Sequence, residues 1–363
     1  MKILHILYSG LGGHGNVFFS MVKADKEKSF EYEAIFCGIE DIREEYVTRC
    51  TANNIKYHFI KKTAGKHVSY YYKIFKQIKK SKPDIIFLHG SMQLPSAWLA
   101  KLLLSKSKII VRETQALHLK TTFENVALKV AMKLADKIVF LSNDYMKQVS
   151  IHFGKKFKAS KCSVIPNGID LNKFAPLASN NVTQISIGMQ SRIVAIKDHS
   201  TLIAAFKQLK EKLPEHHLKL YLAGDGEKKI SLEEETKKLH LQNDVIFEGM
   251  LNENALVYFL QKLDVYVHAS FGETMSTAIM QAMACGKAIV ASDVDGINNM
   301  ITNQKDGLLV PVNQVNEMAN AIETIILNPV LKASLEAAAL NTATQKFSDR
   351  QMFLSYKAII DTL

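Results

Sequence analysis

The run VYVHASFGETMSTAIMQAMACGKAIV, residues 265–290, limits the possible folds more than any other part of the chain. Val265, Tyr266 and Val267 form an apolar segment suited to a buried strand. Ser270, Phe271, Gly272 and Glu273 make a turn, and Thr274 and Ser276 are residue types that start helices. Met275, Ile279, Ala282 and Met283 follow at helical spacing, Gly286 stops the helix, and residues 288–291 begin another strand. A strand, a glycine-containing turn and a helix N-terminus present unpaired backbone N–H groups where an anion can sit.

Two polar side chains stand out in this run. Glu273 is in the turn, and Gln281 faces out of an otherwise apolar helix eight residues later. With helix throughout, that separation is about 12 Å, the span from a sugar ring to a ribose across a diphosphate. The same residues also read as a helix cap and a solvated glutamine. The segment alone leaves both readings open.

The run resembles the E-x7-E segment of the retaining nucleotide-sugar glycosyltransferases of the GT-B fold, family 4. Their typical pattern, E-G-x6-E-A-M-A-x-G-x-P-V-V-A, corresponds to Glu273, then Gln281, Ala282, Met283, Ala284, Gly286, and Ala288 to Ala291. Gln281 stands where the family has its second glutamate, and Ala288 where it has proline. The resemblance implies that Glu273 contacts the donor sugar and Gln281 the ribose hydroxyls. An amide still offers a diol one acceptor and two donors. It further implies donor contacts at Phe271, Gly272, Thr274, Met275 and Ser276.

At 363 residues the chain exceeds what one core usually holds, so two domains are expected. Hydrophobic residues make up 47% and charged residues 22%, as in ordinary globular proteins. The charge is uneven. Residues 1–170 hold 28 Lys and Arg against 14 Asp and Glu, and the remainder 18 against 21, so the net +11 belongs to the first half. Such a surplus suits an anionic surface; lysine dominates and no nucleic-acid motif accompanies it, which favours a membrane leaflet over nucleic acid. Cys37, Cys50, Cys162 and Cys285 show no zinc or redox spacing, which points to reduced thiols and a cytoplasmic setting. No run reads as a signal peptide or a membrane span.

The first half alternates strand and helix. Residues 2–8 form a strand, followed by Gly10, Gly12, Gly13 and Gly15, with a helix over 16–24. Gly10, Gly12 and Gly15 spell G-x-G-x-x-G, and Glu40 follows, a pattern also found in nicotinamide dehydrogenases. Gly12-Gly13 equally resembles the GT-B opening, where it implies backbone approach to the donor, and the second half of the chain favours that reading. Residues 67–80, with three tyrosines, Phe75, Lys73, Lys76, Lys79 and Lys80, form an amphipathic helix, either a solvated outer helix or one touching anionic lipid. The strand over 84–88 ends at His89, resembling the family's P-D-I-I-x-x-H segment. After the strand over 108–111 the family often places a histidine facing the donor sugar. Glu113, Thr114 or Gln115 hold that position here, and His118 follows. The resemblance thus makes His118 a catalytic candidate, and His89 and Glu113 acceptor candidates. Pro166-Asn167-Gly168 breaks the chain, and V-I-P-N-G-I-D resembles the family's interdomain hinge.

In the second half, Gly188 ends a strand over 183–188, and Arg192 and Lys197 share the loop before a helix at 199–213. This resembles G-R-x4-K-G, whose two cations grip the donor diphosphate; paired cations stabilise a departing diphosphate. Gly224 resembles the family's L-x-G-x-G turn, and Gly249 with Met250 the V-x-F-x-G strand end that receives the base. Asp293 and Asp295 imitate a D-x-D metal motif but fit the family's turn before Gly296, where Asn299 replaces a customary glutamate. The resemblance implies an α/β GT-B fold, two Rossmann-like domains facing across a cleft. They are expected at 1–170 and 171–345, with a tail helix at 346–363 returning to the first. It implies retaining transfer of a sugar from a UDP-linked donor to a lipid-linked glycan in surface polysaccharide or lipopolysaccharide synthesis. The expected setting is the inner membrane face, with no cofactor and no metal. A GT-B epimerase and a non-catalytic partner subunit are the alternatives.

Overall fold

Strands of near-continuous apolar residues flanked by amphipathic helices can only bury both sheet faces in layered α/β units. The computed structural model, which describes residues 1–10, 13–63, 67–104, 106–177 and 184–363, contains two such units. Unit 1 comprises Met1–Gly168 and Asp349–Leu363, and unit 2 Ile169–Ser348. The chain passes between them inside the Pro166–Asp170 segment and again at Ser348-Asp349.

Unit 1 runs β1 (Lys2–Tyr8), α1 (Gly13–Ala24), β2 (Glu31–Gly38), α2 (Glu44–Ala52), β3 (Lys56–Lys61), α3 (His67–Ser81), β4 (Ile85–His89), α4 (Leu94–Leu103), β5 (Lys108–Arg112), α5 (Thr122–Leu134), β6 (Lys137–Phe140), α6 (Asn143–Phe153) and β7 (Cys162–Val164). Its seven strands are parallel, in the order β3-β2-β1-β4-β5-β6-β7. One face packs Leu4, Ile86 and Val111 beneath α3, α4, α5 and α6. The other packs Ile3 and Phe87 against α1 and the last helix, and Leu7 and Phe36 against α2.

Unit 2 runs β8 (Gln184–Gln190), α7 (His199–Lys212), β9 (His217–Ala223), α8 (Lys229–Lys238), β10 (Val245–Gly249), α9 (Glu253–Lys262), β11 (Val265–His268), α10 (Thr277–Ala284), β12 (Ala288–Ser292), β13 (Leu308–Val310), α11 (Val315–Leu327) and α12 (Pro329–Lys346). Its strands are parallel in the order β10-β9-β8-β11-β12-β13. Then α13 (Asp349–Ile360) returns to unit 1, where Met352, Phe353, Tyr356 and Ile360 are buried with Val17, Met21 and Phe87. Arg350 fastens its start by donating to the Ala24 carbonyl at 2.9 Å.

The structure moves several expected boundaries. α1 begins at Gly13, not residue 16, and α10 begins at Thr277 with Ser276 as its cap. The 12 Å estimate between Glu273 and Gln281 therefore fails, because the residues before Thr277 are turn and not helix. Gln281 does not face solvent either: Ile279 to Ala284 are all buried. The helix is apolar all round because it lies wholly inside the unit.

Candidate functional site

In unit 2 the chain winds away from β8 through β9 and β10, and away from β11 through β12 and β13. Loops that leave two adjacent parallel strands in opposite directions open a crevice at the strands' carboxyl ends. The loop after β8 carries Arg192 and Lys197, and the loop after β11 carries Glu273. Backbone bonds hold the two loops in register: the Phe271 N–H donates to the Ile196 carbonyl at 2.9 Å, and the Asp198 N–H to the Ala269 carbonyl at 3.1 Å. The Ser270 hydroxyl adds a bond to the Ile196 carbonyl at 3.2 Å.

This lacing brings Lys197 Nζ onto Glu273 Oε1 as an ion pair, with the side chains 11% and 18% exposed. Beneath the pair lies His268, the buried last residue of β11. Its Nε2 is 3.0 Å from Glu273 Oε1 and 3.3 Å from both Lys197 Nζ and Ser276 Oγ, and its Nδ1 is 3.1 Å from the Tyr266 hydroxyl. Burial alone raises the Glu273 pKa, but the His268 hydrogen bond and the Lys197 charge overcome it and hold the carboxyl down to about 2. Burial, then Lys197, lowers the His268 pKa, so its imidazole is neutral at pH 7. A neutral imidazole protonated on Nε2 donates to Glu273 and leaves Nδ1 as an acceptor facing the Tyr266 hydroxyl, which also donates to the Gln190 carbonyl at 3.3 Å. Sequence reasoning missed His268; a lone imidazole ending an apolar strand five residues before the turn glutamate was the available signal.

Gln281 is 6% exposed, and its Oε1 has no hydrogen-bond partner among the described residues; the same holds for Asn299 Oδ1 and Asp198 Oδ2. Leaving such an atom unpaired costs about 1–3 kcal/mol, so it marks a place for a ligand group or water. Arg192 is exposed in the loop after β8. Phe271 and Met250 are also exposed, at the ends of the β11 and β10 loops, whereas Gly272, Thr274 and Ser276 are buried and Met275 half-buried.

The glycines separate by role. Gly224, at φ +137°, lies where a Cβ would stand 1.8 Å from the Ser191 carbonyl oxygen, so it lets the β9 turn pack against the Arg192 loop. Gly296, at φ +89°, does the same for the Glu273 loop, with a Cβ 2.3 Å from the Glu273 carbonyl oxygen. Gly188 lies inside β8, and its missing side chain makes room for Leu263. That packing accounts for a glycine at this position. Gly249, at φ +68°, ends β10 and accepts the Gly224 N–H at 2.8 Å. Asp293 and Asp295 are exposed in the turn after β12, and no metal-binding group of His, Cys, Asp or Glu occurs among the described residues.

In unit 1 the corresponding crevice lies between β1 and β4. Gly13 opens α1 there, and Gly12 and the His118 side chain lie outside the described residues. His89 was named as an acceptor contact. It is buried at the end of β4, with Nε2 3.1 Å from His5 Nδ1 and Nδ1 3.4 Å from Arg112 Nη1. Glu113 is buried too, paired with Lys120 at 2.7 Å and accepting the Thr114 N–H at 3.1 Å. Both residues named for the acceptor thus have partners within the unit. His14 was not anticipated; it is half-buried with Nε2 3.1 Å from Thr114 Oγ1. Burial, with Arg112 adding, lowers the pKa of His5 and of His14 to about 3.

Comparison with known proteins agrees with this architecture. Residues 175–342 match the family model described as glycosyl transferases group 1, and residues 11–173 match glycosyltransferase family 4. The N-acetylgalactosamine-N,N'-diacetylbacillosaminyl-diphospho-undecaprenol 4-alpha-N-acetylgalactosaminyltransferase of Campylobacter jejuni is 25% identical over 273 residues, covering 72% of this chain and 71% of that protein. The UDP-Gal:alpha-D-GlcNAc-diphosphoundecaprenol alpha-1,3-galactosyltransferase of Escherichia coli is 25% identical over 284 residues, covering 71% and 70%. Among solved structures, Anabaena HepE in complex with UDP-glucose superposes with a TM-score of 0.85 at 21% identity over 100% of both chains. With one family model on each half of the chain and the two-sheet architecture in common, this protein belongs to the group 1, family 4 glycosyltransferases of the GT-B fold.

Proposed function

We propose that the protein is a retaining glycosyltransferase that moves a hexosyl or N-acetylhexosaminyl group from a UDP-linked donor to a lipid-linked glycan. Its expected pathway is surface polysaccharide or lipopolysaccharide synthesis, on the inner face of a membrane. The observation that carries the reading is the Lys197–Glu273 pair at the β8/β11 switch point, with the buried, unpartnered amide oxygen of Gln281 on the helix that follows. Lys197 and Arg192 supply the positive charge that a departing nucleoside diphosphate requires. Glu273, ionised over the whole physiological range, accepts hydrogen bonds from donor-sugar hydroxyls. Gln281 meets the ribose diol with an oxygen that otherwise has no partner.

In this reading the acceptor attacks the face of the sugar from which the diphosphate leaves. A phosphate oxygen of the donor takes the acceptor proton as the bond to the leaving oxygen breaks, so stereochemistry is retained without a protein base. The chain's own cations stabilise the leaving group, so no metal or other cofactor is part of the proposal. The lipid-linked acceptor is supported by the diphospho-undecaprenol acceptors that the names of the two bacterial relatives specify. No helix among the described residues is long and apolar enough to cross a membrane.

The test incubates the purified protein with a panel of UDP- and GDP-sugars, with and without diphosphoundecaprenol-linked sugars, in the presence and absence of a chelator. Transfer from a UDP-sugar with the anomeric configuration kept, insensitive to the chelator, is the expected result. Release of an epimer without acceptor, or inversion at the anomeric carbon, overturns it.

A further inference from the structure

Helices on the outside of an α/β layer normally turn a polar face to water. On α4 that face is apolar: Trp98, Leu99, Leu102 and Leu103, spaced i, i+1, i+4 and i+5, are all exposed, the last two at 59% and 58%. The neighbouring α5 continues the pattern with Phe123 at 63% and Val126 at 51%. The inner sides of both helices, Leu94, Ala97 and Ala100 on one and Leu128, Ala131 and Met132 on the other, belong to one cluster on one face of the sheet. Their outer sides therefore look the same way, and α4 packs between α3 and α5.

Charge surrounds this apolar strip. Across α3, α4 and α5 there are seven lysines and one acid, Glu124, whose carboxylate is spent on the Thr121 N–H and hydroxyl in a capping box. Lys73, Lys76, Lys79 and Lys80 are exposed on α3, and Lys129 and Lys133 on α5. Lys101 of α4 is paired with Asp136 at 2.6 Å, whereas Lys129 meets Lys156, and the two like charges lower the Lys129 pKa, so the edge keeps a surplus of positive charge.

We propose that the outer face of α4 and α5 is the surface by which the protein seats on an anionic lipid leaflet, the apolar strip entering the headgroup–acyl boundary and the flanking lysines meeting lipid phosphates. This deepens the lipid-linked-acceptor reading and rests on it for its purpose, though not for its test. It also moves the contact from α3 to α4: Tyr70, Ile74 and Ile78 of α3 are buried in the unit, leaving that helix a mainly cationic flank. A second copy of the chain fits poorly, because a two-fold interface would set the lysine-rich flanks against each other.

Trp98 is the sole tryptophan, so its fluorescence reports this surface directly. Vesicles of phosphatidylglycerol and phosphatidylcholine in equal parts should shift its emission to the blue and bind the protein, and pure phosphatidylcholine vesicles should bind it at least ten-fold more weakly. Raising salt should weaken binding to the anionic vesicles. Leu102→Glu with Leu103→Glu, two changes at exposed positions, should lower vesicle affinity at least ten-fold while leaving thermal unfolding and lipid-free donor turnover unchanged. An emission unmoved by anionic vesicles overturns the proposal, as does a double variant that binds like the parent. A blue shift that follows protein concentration without lipid assigns the face to a second copy instead. Vesicle binding by a protein that turns over no nucleotide sugar leaves this surface standing and removes the transfer reading; turnover without vesicle binding does the opposite.

Discussion

Glu273→Gln should tighten UDP binding while it abolishes most turnover. In the unliganded site Lys197 is already engaged by Glu273, so a diphosphate must either draw the ammonium away or share it with a carboxylate of its own sign. The Glu273 pKa falls from 4.5 to about 2. At 1.36 kcal/mol per unit that net shift is roughly 3 kcal/mol in favour of the carboxylate, which is what His268 and Lys197 together contribute beyond the cost of burial. Assigning roughly half to Lys197 gives about 1–2 kcal/mol that UDP has to overcome, and both groups are buried enough that solvent screening removes little of it. The glutamine variant removes that opposition, so its UDP dissociation constant should drop about 5- to 30-fold. The gap between UDP and intact donor should shrink, because sugar hydroxyls lose a charged acceptor, and turnover should fall by about 10²–10³. Calorimetric titration of UDP and of donor into parent and variant measures both terms. In a Lys197→Ala background the gain should vanish, which a double-mutant cycle reads directly. Equal or weaker UDP affinity in Glu273→Gln, with the fold intact by circular dichroism, would refute the reasoning.

Arg192→Ala, at an exposed position, should leave thermal stability within about 0.5 kcal/mol of the parent and lower turnover about 10²–10³-fold, measured by donor consumption. Gln281→Ala should weaken UDP binding by about 1–3 kcal/mol, and Gln281→Glu should match or exceed the parent, both read by calorimetry. Gly296→Ala should lower stability and turnover together, since it sets a methyl group against the Glu273 carbonyl oxygen at a φ of +89°; thermal unfolding and initial rates check it. Acid should destabilise unit 1: His5 and His14, with folded pKa values of about 3 against 6.5 when unfolded, take up protons on unfolding. Stability should therefore be full above about pH 6.5 and decline towards pH 3, by up to about 2–3 kcal/mol per histidine at pH 4.5. Urea unfolding followed across that range, with His14→Asn flattening the decline, is the measurement.

The strand pattern was legible because the central strands of each sheet are apolar runs buried on both faces, as in Ile85–His89 and Ala288–Ser292. Helices with a polar stripe were legible for the complementary reason. α4 and α5 were not read as helices, and the two failures differ. In α4, LPSAWLAKLL, the outward residues are as apolar as the inward ones, so there is no period to detect. α5 did carry a signal, since Thr121 and Glu124 form the capping box just before it, but an outer face of Phe123, Val126 and Val130 hid the rest. α8 and α9 were not read as helices either, so an apolar outer face is one cause of a missed helix and not the whole of it.

At the site, sequence spacing located the loops but not what the side chains do to one another. Arg192, Lys197 and Glu273 could be placed on two turns following two strands, yet only the order β8-β11 in the sheet makes those turns neighbours. The pairing of Lys197 with Glu273 then depends on the bonds from Phe271 to Ile196 and from Asp198 to Ala269, between residues more than seventy positions apart. His268 enters for the same reason: its role comes from standing under a contact that exists only once the sheet has formed. Gln281 was misread as outward-facing because periodicity can distinguish a polar from an apolar position, but cannot tell solvent from a buried cavity. A buried glutamine with an unpartnered oxygen costs stability unless something supplies the missing bond. In a helix otherwise buried among apolar side chains, the unmet bond marks a place where a ligand group or a water supplies the missing donor.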